Sequence, residues 1–134
     1  MAKLASIEGI GTAYEGKLAA AGVQSVEELL KTGSTPAGRK ALEEKTGISH
    51  DLLLEWINHA DLYRIPGIGE EYSDLLEEAG VDTVAELAQR NSDNLFNKLV
   101  EVNQAKELVR RLPSQKQVAD WVECAKSLPK VITY

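Results

Sequence analysis

Apolar residues recur every three or four positions along almost the whole chain, separated by polar residues and by glycine or proline breaks. This spacing is typical of helices that bury one face, and no stretch shows the alternation with a period of two that strands need. We therefore predict an all-α fold. The helices are predicted at 12–21, 26–31, 36–46, 50–63, 70–79, from 84 onward, at 91–112 and at 115–127.

Polar residues with capping chemistry stand where several of these helices begin. Ser25 with Glu28, and Thr83 with Glu86, form the Ser/Thr-x-x-Glu pattern of a capping box. In this arrangement each side chain accepts a hydrogen bond from a backbone amide at the other position. Ser114 begins another box. These caps predict helix starts independently of the apolar pattern.

The pattern also repeats along the chain. Residues 7–30 align with residues 65–88 at an offset of 58, with twelve identities in twenty-four positions. A second block aligns at an offset of 65 and places Trp56 on Trp121. Such self-similarity indicates a duplicated structural unit.

The two offsets differ by seven residues, which corresponds to about two helical turns. We expect these turns near 99–110, within a long helix that Pro113 ends. The chain is therefore predicted to contain two tandem copies of a compact helical unit, 1–63 and 64–134. The second copy has the lengthened helix and a short C-terminal tail.

Each copy opens with a glycine-rich segment. We call Ile7-Glu8-Gly9-Ile10-Gly11 the first glycine turn and Ile65-Pro66-Gly67-Ile68-Gly69 the second glycine turn. Glycine takes positive φ without steric cost, which a sharp connection between two helices needs, and the isoleucine between the glycines fills the space beneath the turn. The last glycine leaves the next helix without a side-chain cap, so that its first amides can bind an anion.

An Ile-x-Gly-Ile-Gly segment followed by an amphipathic helix resembles the helix-hairpin-helix motif. The whole chain is similar to a prokaryotic family of tandem helix-hairpin-helix domains whose function is not assigned. In repair glycosylases, polymerases and ligases with this motif, the hairpin amides bind duplex phosphates without reading bases, sometimes with a monovalent cation on the hairpin carbonyls. The resemblance carries over to Gly9, Ile10 and Gly11, and to Gly67, Ile68 and Gly69.

The net charge of −6 limits this interpretation, because proteins held by nucleic-acid phosphates usually carry an excess of Lys and Arg. The charge is uneven, with +3 over residues 106–134 and −9 over residues 1–105. A phosphate contact must therefore be local. The basic residues that we place at the interface are Lys17, Arg39, Lys40, Arg110, Arg111 and Lys116. The alternative is a solvated face on which they pair with nearby acids.

The helices after the two glycine turns begin with different residues. Glu70 and Glu71 occupy the first helical turn after the second glycine turn, where they would repel a phosphate and suit the helix dipole. We expect that turn to be structural. Thr12 and Ala13 come after the first glycine turn and Lys17 lies one turn further, but Glu8 and Glu15 are also near, so that the local charge is about neutral. Phosphate binding and a purely structural role therefore both stay open there.

No set of residues predicts catalysis: the chain lacks a nucleophile with a positioned base and a phosphate loop with its lysine. We expect no cofactor and no metal site, and we place His50 and His59 at the surface. The single cysteine, Cys124, excludes an internal disulfide. No apolar run approaches the length of a membrane span, and we expect a cytoplasmic protein.

These features predict a non-catalytic binding module with weak, sequence-independent affinity for the backbone of duplex DNA. The alternative is a protein-interaction or scaffolding module without nucleic-acid binding, which the net charge and the acidic second glycine turn favour. The oligomeric state stays open.

Overall fold

The computed structural model describes residues 3–7 and 9–134, so predictions that involve Glu8 lie outside the described residues. In these residues all regular structure is helical, which confirms the all-α prediction. A short 3-10 helix, Leu4–Ser6, precedes the α-helices. These are α1 Thr12–Ala20, α2 Val26–Gly33, α3 Pro36–Thr46, α4 His50–Leu62, α5 Glu70–Glu78, α6 Val84–Ala88, α7 Ser92–Lys106 and α8 Gln115–Ser127.

The helix starts lie where the capping residues predict them. At six helix starts of the described residues a side-chain oxygen accepts a hydrogen bond from the amide three residues later, at 3.0–3.3 Å; the caps are Ser25, Thr35, Ser49, Thr83, Asn91 and Ser114. At Ser114 the Gln117 side chain also accepts from the cap's own amide, which completes the box. Each cap satisfies an amide that the helix leaves without an internal partner.

The predicted long helix is shorter than expected, because α7 ends at Lys106 and does not continue to Leu112. Glu107 adopts a left-handed conformation with φ of +50°, and its amide donates to the Asn103 carbonyl at 2.8 Å. The Asn103 side chain then accepts from the Val109 amide at 3.0 Å and donates to the Val109 carbonyl at 3.2 Å. This pairing holds Val109 in a core, where it is 6% exposed.

The predicted lengthening of the helix before Pro113 is therefore present only in part. The helix α7 has 15 residues, against 11 in α3. Residues 107–112, which the sequence predicts as helix, belong instead to the connection 107–114 before α8.

The chain forms two compact units, which we call unit 1 and unit 2. Unit 1 comprises Met1–Asp61 with Val131–Tyr134, and unit 2 comprises Leu62–Lys130. The last four residues therefore belong to unit 1, whereas the division predicted from the sequence kept them with residues 64–134. Ile132 is their buried member, at 2% exposure.

Each unit has an apolar interior built from the predicted helix faces. In unit 1, α3 packs against α1 and α2, and the 3-10 helix packs against α1. In unit 2, α8 packs against α6 and α7, and α5 packs against α7. Across residues 3–7 and 9–134, none of the helices is both long enough and apolar enough to cross a bilayer.

Candidate nucleic-acid interface

The first glycine turn is a tight connection with its isoleucines turned inward. Gly9 has φ of +93°, a conformation that side chains rarely adopt. The Ile10 amide donates to the Ile7 carbonyl at 3.1 Å, and both isoleucine side chains are buried. Ile10 therefore supports the turn from below and has no side-chain surface for a ligand.

An aromatic pair supports this turn. A Cβ atom on Gly9 would lie 3.2 Å from Nε1 of the buried Trp56. The Tyr14 ring contacts the Trp56 ring edge-on, with centroids 5.1 Å apart. The Lys17 ammonium lies 5.7 Å from the Tyr14 ring centroid, within reach of a cation–π interaction. Lys17, in the last turn of α1, is thus connected to the glycine turn through Tyr14 and Trp56.

The helix that leaves the first glycine turn has an open start. Gly11 is the N-cap of α1, and no side chain of the described residues caps it. Thr12 and Ala13 are exposed, and the first backbone bond, from the Glu15 amide to the Gly11 carbonyl, spans 2.9 Å. The amides of the first turn are thus directed away from the helix body, as an anion-binding helix start requires.

The second glycine turn has the same backbone construction. Gly67 has φ of +91°, and the Ile68 amide donates to the Ile65 carbonyl at 3.1 Å. A Cβ atom on Gly67 would lie 3.4 Å from Nε1 of Trp121. Gly69 is the N-cap of α5 and, like Gly11, contributes no side chain to the cap.

The chemistry around the second glycine turn differs. Glu70 and Glu71 are exposed in the first turn of α5, and the buried Leu75 takes the place that Lys17 has after the first turn. Tyr72 again contacts a tryptophan, with its ring 5.2 Å from that of Trp121. Its hydroxyl also donates to the carbonyl of Arg111 at 3.1 Å, which ties the loop after α7 to α5.

The predicted basic pair of unit 1 is split between surface and interior. Lys40 is exposed, but Arg39 is only 2% exposed. The Arg39 guanidinium donates to the carbonyls of Gly33 at 2.8 Å and Thr133 at 2.6 Å. Adjacent residues on a helix point about 100° apart, so one can be solvated while the other is buried. Arg39 therefore does not lie at the surface, as phosphate binding would require.

The predicted basic residues of unit 2 are exposed. Arg110 lines an open groove of about 660 Å³ together with Glu71 and residues at the end of α7. The Lys116 ammonium lies 3.0 Å from an Asp120 carboxylate oxygen, in a pair exposed enough to contribute little to stability. Sequence reasoning did not place Arg110 near the acidic start of α5, because the loop that brings it there follows no helical period.

The predicted site residues consequently fall into two groups. Unit 1 carries the first glycine turn with Lys17 and Lys40, and unit 2 carries the second glycine turn with Arg110, Arg111 and Lys116. Of the two histidines expected at the surface, His50 is exposed but His59 is buried. Cys124 is partly buried on α8.

The chain matches the model of a known protein family. The model of the family described as Domain of unknown function (DUF4332) matches residues 8–128. No curated protein and no solved structure matches the chain. The matched region begins at residue 8 and continues through α8, so it includes all but Ile7 of the first glycine turn and the whole of the second.

Proposed function

We propose a non-catalytic binding function for this chain, which belongs to the family described as Domain of unknown function (DUF4332). Its ligand is the phosphate backbone of duplex DNA, bound weakly and without regard to base sequence. The binding site is the first glycine turn, where no side chain of the described residues caps α1 and where the Lys17 ammonium, further along the same helix, lies 5.7 Å from the Tyr14 ring. A positive partial charge on the amides and a full charge on the lysine both favour an anion there.

We further propose that the two glycine turns are helix-hairpin-helix motifs in tandem copies of one ancestral unit. This is supported by the twelve identities between residues 7–30 and 65–88. It is also supported by the matched φ values of Gly9 and Gly67 and by the tryptophan against each of them.

The observation that carries the proposal is the difference between the first two positions of α1 and those of α5. Thr12 and Ala13 stand at the start of α1, whose first acid is the half-buried Glu15 two residues later, whereas Glu70 and Glu71 stand at the start of α5. An exposed carboxylate at a helix start occupies the favourable end of the dipole and repels a phosphate. At the start of α1 a phosphate can occupy this favourable end of the helix dipole. Long-range electrostatic attraction of the DNA phosphates comes from Lys40, Arg110, Arg111 and Lys116.

Titration of duplex DNA against the full chain at increasing salt tests the proposal. Backbone binding weakens on a log-log plot with a slope of about −0.9 for each phosphate neutralised. Lys17→Glu is expected to weaken binding strongly and to reduce the slope by about one unit. Arg110→Glu is expected to weaken binding through the longer-range field only.

Lys45→Glu is the matched control for Lys17→Glu. Both lysines are exposed and lie in the last turn of a helix of unit 1, so both variants change net charge and helix-dipole energy alike. Equal losses in the two variants would show that net charge alone governs binding and that the first glycine turn is not the site. An absence of binding at about 50 mM salt would overturn the DNA proposal altogether.

A protein-interaction module is the second candidate function. The net charge of −6 and the exposed Glu70 and Glu71 favour it, because a basic protein surface would complement them. Under this alternative, wild-type protein does not bind DNA, and Glu70→Lys does not create binding.

A further inference from the structure

Residues 131–134, which we call the tail, lie against unit 1 as a non-helical segment. Thr133 is held through both sides of its backbone. Its amide donates to the Ser34 carbonyl at 2.8 Å, and its carbonyl accepts from Arg39 Nη2 at 2.6 Å. On the tail, these bonds involve only the main-chain amide and carbonyl of Thr133. Any chain segment that follows the same path can therefore make the same bonds.

The residues on either side of Thr133 supply two side-chain contacts. Ile132 is buried at 2% exposure, and the Tyr134 hydroxyl donates to Asn58 Oδ1 at 3.1 Å. The Tyr134 ring lies 5.7 Å from the Arg39 guanidinium and stays 64% exposed. We call the surface formed by Ser34, Arg39 and Asn58 the tail groove.

Arg39 makes an empty tail groove unfavourable. Its guanidinium is buried, and its Nε has no hydrogen-bond partner among the described residues. The carbonyls of Gly33 and Thr133 are its hydrogen-bond acceptors. Removal of the tail would take away one of these two acceptors, and an unpaired buried donor is costly. The groove therefore favours an occupant over solvent.

The tail reaches this groove from the end of unit 2, through Pro129 and Lys130. The entropy cost of ordering four residues opposes the free energy gained from one buried apolar side chain and a few hydrogen bonds. The net free energy that holds the tail is therefore small, and the tail can leave the groove. A segment that is separated from the rest of its own unit by another unit can be exchanged between identical chains, because the exchanged and unexchanged states contain the same contacts.

We propose that the tail groove is a binding site for the tail of a second copy of this chain. In the resulting dimer, each copy places its Ile132 and Tyr134 on the unit 1 of the other copy, and each Arg39 binds a Thr133 carbonyl of its partner. The three-residue sequence that the tail groove recognises is an apolar residue, any residue and a tyrosine, at the positions of Ile132, Thr133 and Tyr134. This site is separate from the glycine turns and does not depend on nucleic-acid binding.

Chemical cross-linking of full-length chains tests the exchange. In a Cys124→Ser background, one chain carries Ser34→Cys and another carries Thr133→Cys, and the mixture is treated with a short bismaleimide. A covalent heterodimer is expected, and its yield at micromolar concentration is expected to rise about tenfold when the protein concentration rises tenfold. Because the tethered tail competes at an effective concentration in the millimolar range, exchange is favoured near about 1 mM protein.

Three controls make the result decisive. A chain with both substitutions must form an internal cross-link, and failure to do so would overturn the tail groove itself. An internal cross-link without any heterodimer up to about 1 mM would overturn the exchange. Gln24→Cys, at an exposed position of unit 1, replaces the half-buried Ser34→Cys as a control. An equal heterodimer yield would show random collision and overturn the proposal. Ile132→Asp is expected to abolish both cross-links.

Discussion

The two glycine turns have nearly the same backbone and different surroundings. Gly9 and Gly67 differ by 2° in φ, and each lies against the indole nitrogen of a tryptophan. Yet α1 begins with Thr12 and Ala13, and α5 begins with two glutamates. Turn geometry is thus set by glycine and buried aromatic residues, while affinity for an anion is set by the exposed residues at the start of the next helix. One property can change without the other.

The largest expected effect concerns the shared backbone. Gly9→Ala and Gly67→Ala each force a side chain into positive φ, at a cost of about 1–3 kcal/mol. Gly9→Ala is expected to cost more, because its Cβ would lie 3.2 Å from Trp56, against 3.4 Å from Trp121 at Gly67. The measurement is urea unfolding followed by tryptophan fluorescence, with Trp121→Phe in the first case and Trp56→Phe in the second, so that one indole reports each unit.

Gly16→Ala is the control for these glycine variants. Gly16 lies inside α1, and a Cβ atom added there would have no neighbouring heavy atom within 4 Å, so alanine is expected to stabilise the helix by about 0.5–1 kcal/mol. If Gly9→Ala behaves like Gly16→Ala, positive φ is not what the first turn requires.

An intermediate effect on stability is expected from the tyrosines that contact the two tryptophans, Tyr14 and Tyr72. Tyr72→Phe removes the hydrogen bond to the Arg111 carbonyl and should destabilise unit 2 by about 0.5–1.5 kcal/mol, toward the lower end because the bond is exposed. Tyr14→Phe keeps the ring contact with Trp56 and should leave the unfolding midpoint of unit 1 unchanged. Equal losses in the two variants would show that the hydroxyl of Tyr14 also has a structural role.

The smallest expected effect on stability comes from exchanging the helix starts. Thr12→Glu adds a negative charge at the positive end of α1 and should stabilise it by about 0.3–1 kcal/mol, while Glu70→Thr should destabilise α5 by a similar amount. Both changes shrink as salt rises. The same variants should move DNA affinity in the opposite direction, with Thr12→Glu weakening it. Affinity that tracks stability in sign would contradict the proposed site.

Much of the fold is predictable because its signals are local. Ser25, Thr83 and Ser114 act within three residues of their own position, and Gly47 ends α3 with φ of +73°. The end of α7 is different in kind. It depends on the hydrogen bonds between Asn103 and Val109 and on the left-handed conformation of Glu107. None of these three residues is a glycine or a proline, which are the usual helix-stop signals in a sequence.

The candidate site is predictable only in part for the same reason. The glycines and Lys17 belong to one local segment, so that the sequence alone brings them together. Arg39 lies beside Lys40 in the chain, but its burial depends on Thr133, 94 residues away. The proximity of Arg110 to Glu71 likewise depends on the path of a loop. Long-range contacts of this kind leave no periodic signal.

The position of the tail has a consequence for the order in which the protein is made. Residues 1–61 of unit 1 are synthesised before unit 2, but Thr133, which bonds to Ser34 and Arg39, is synthesised after it. Domains generally fold as units during synthesis, at roughly 5–20 residues per second. All of unit 2 is therefore translated before Arg39 can donate a hydrogen bond to the Thr133 carbonyl. The unit that is begun first is completed last.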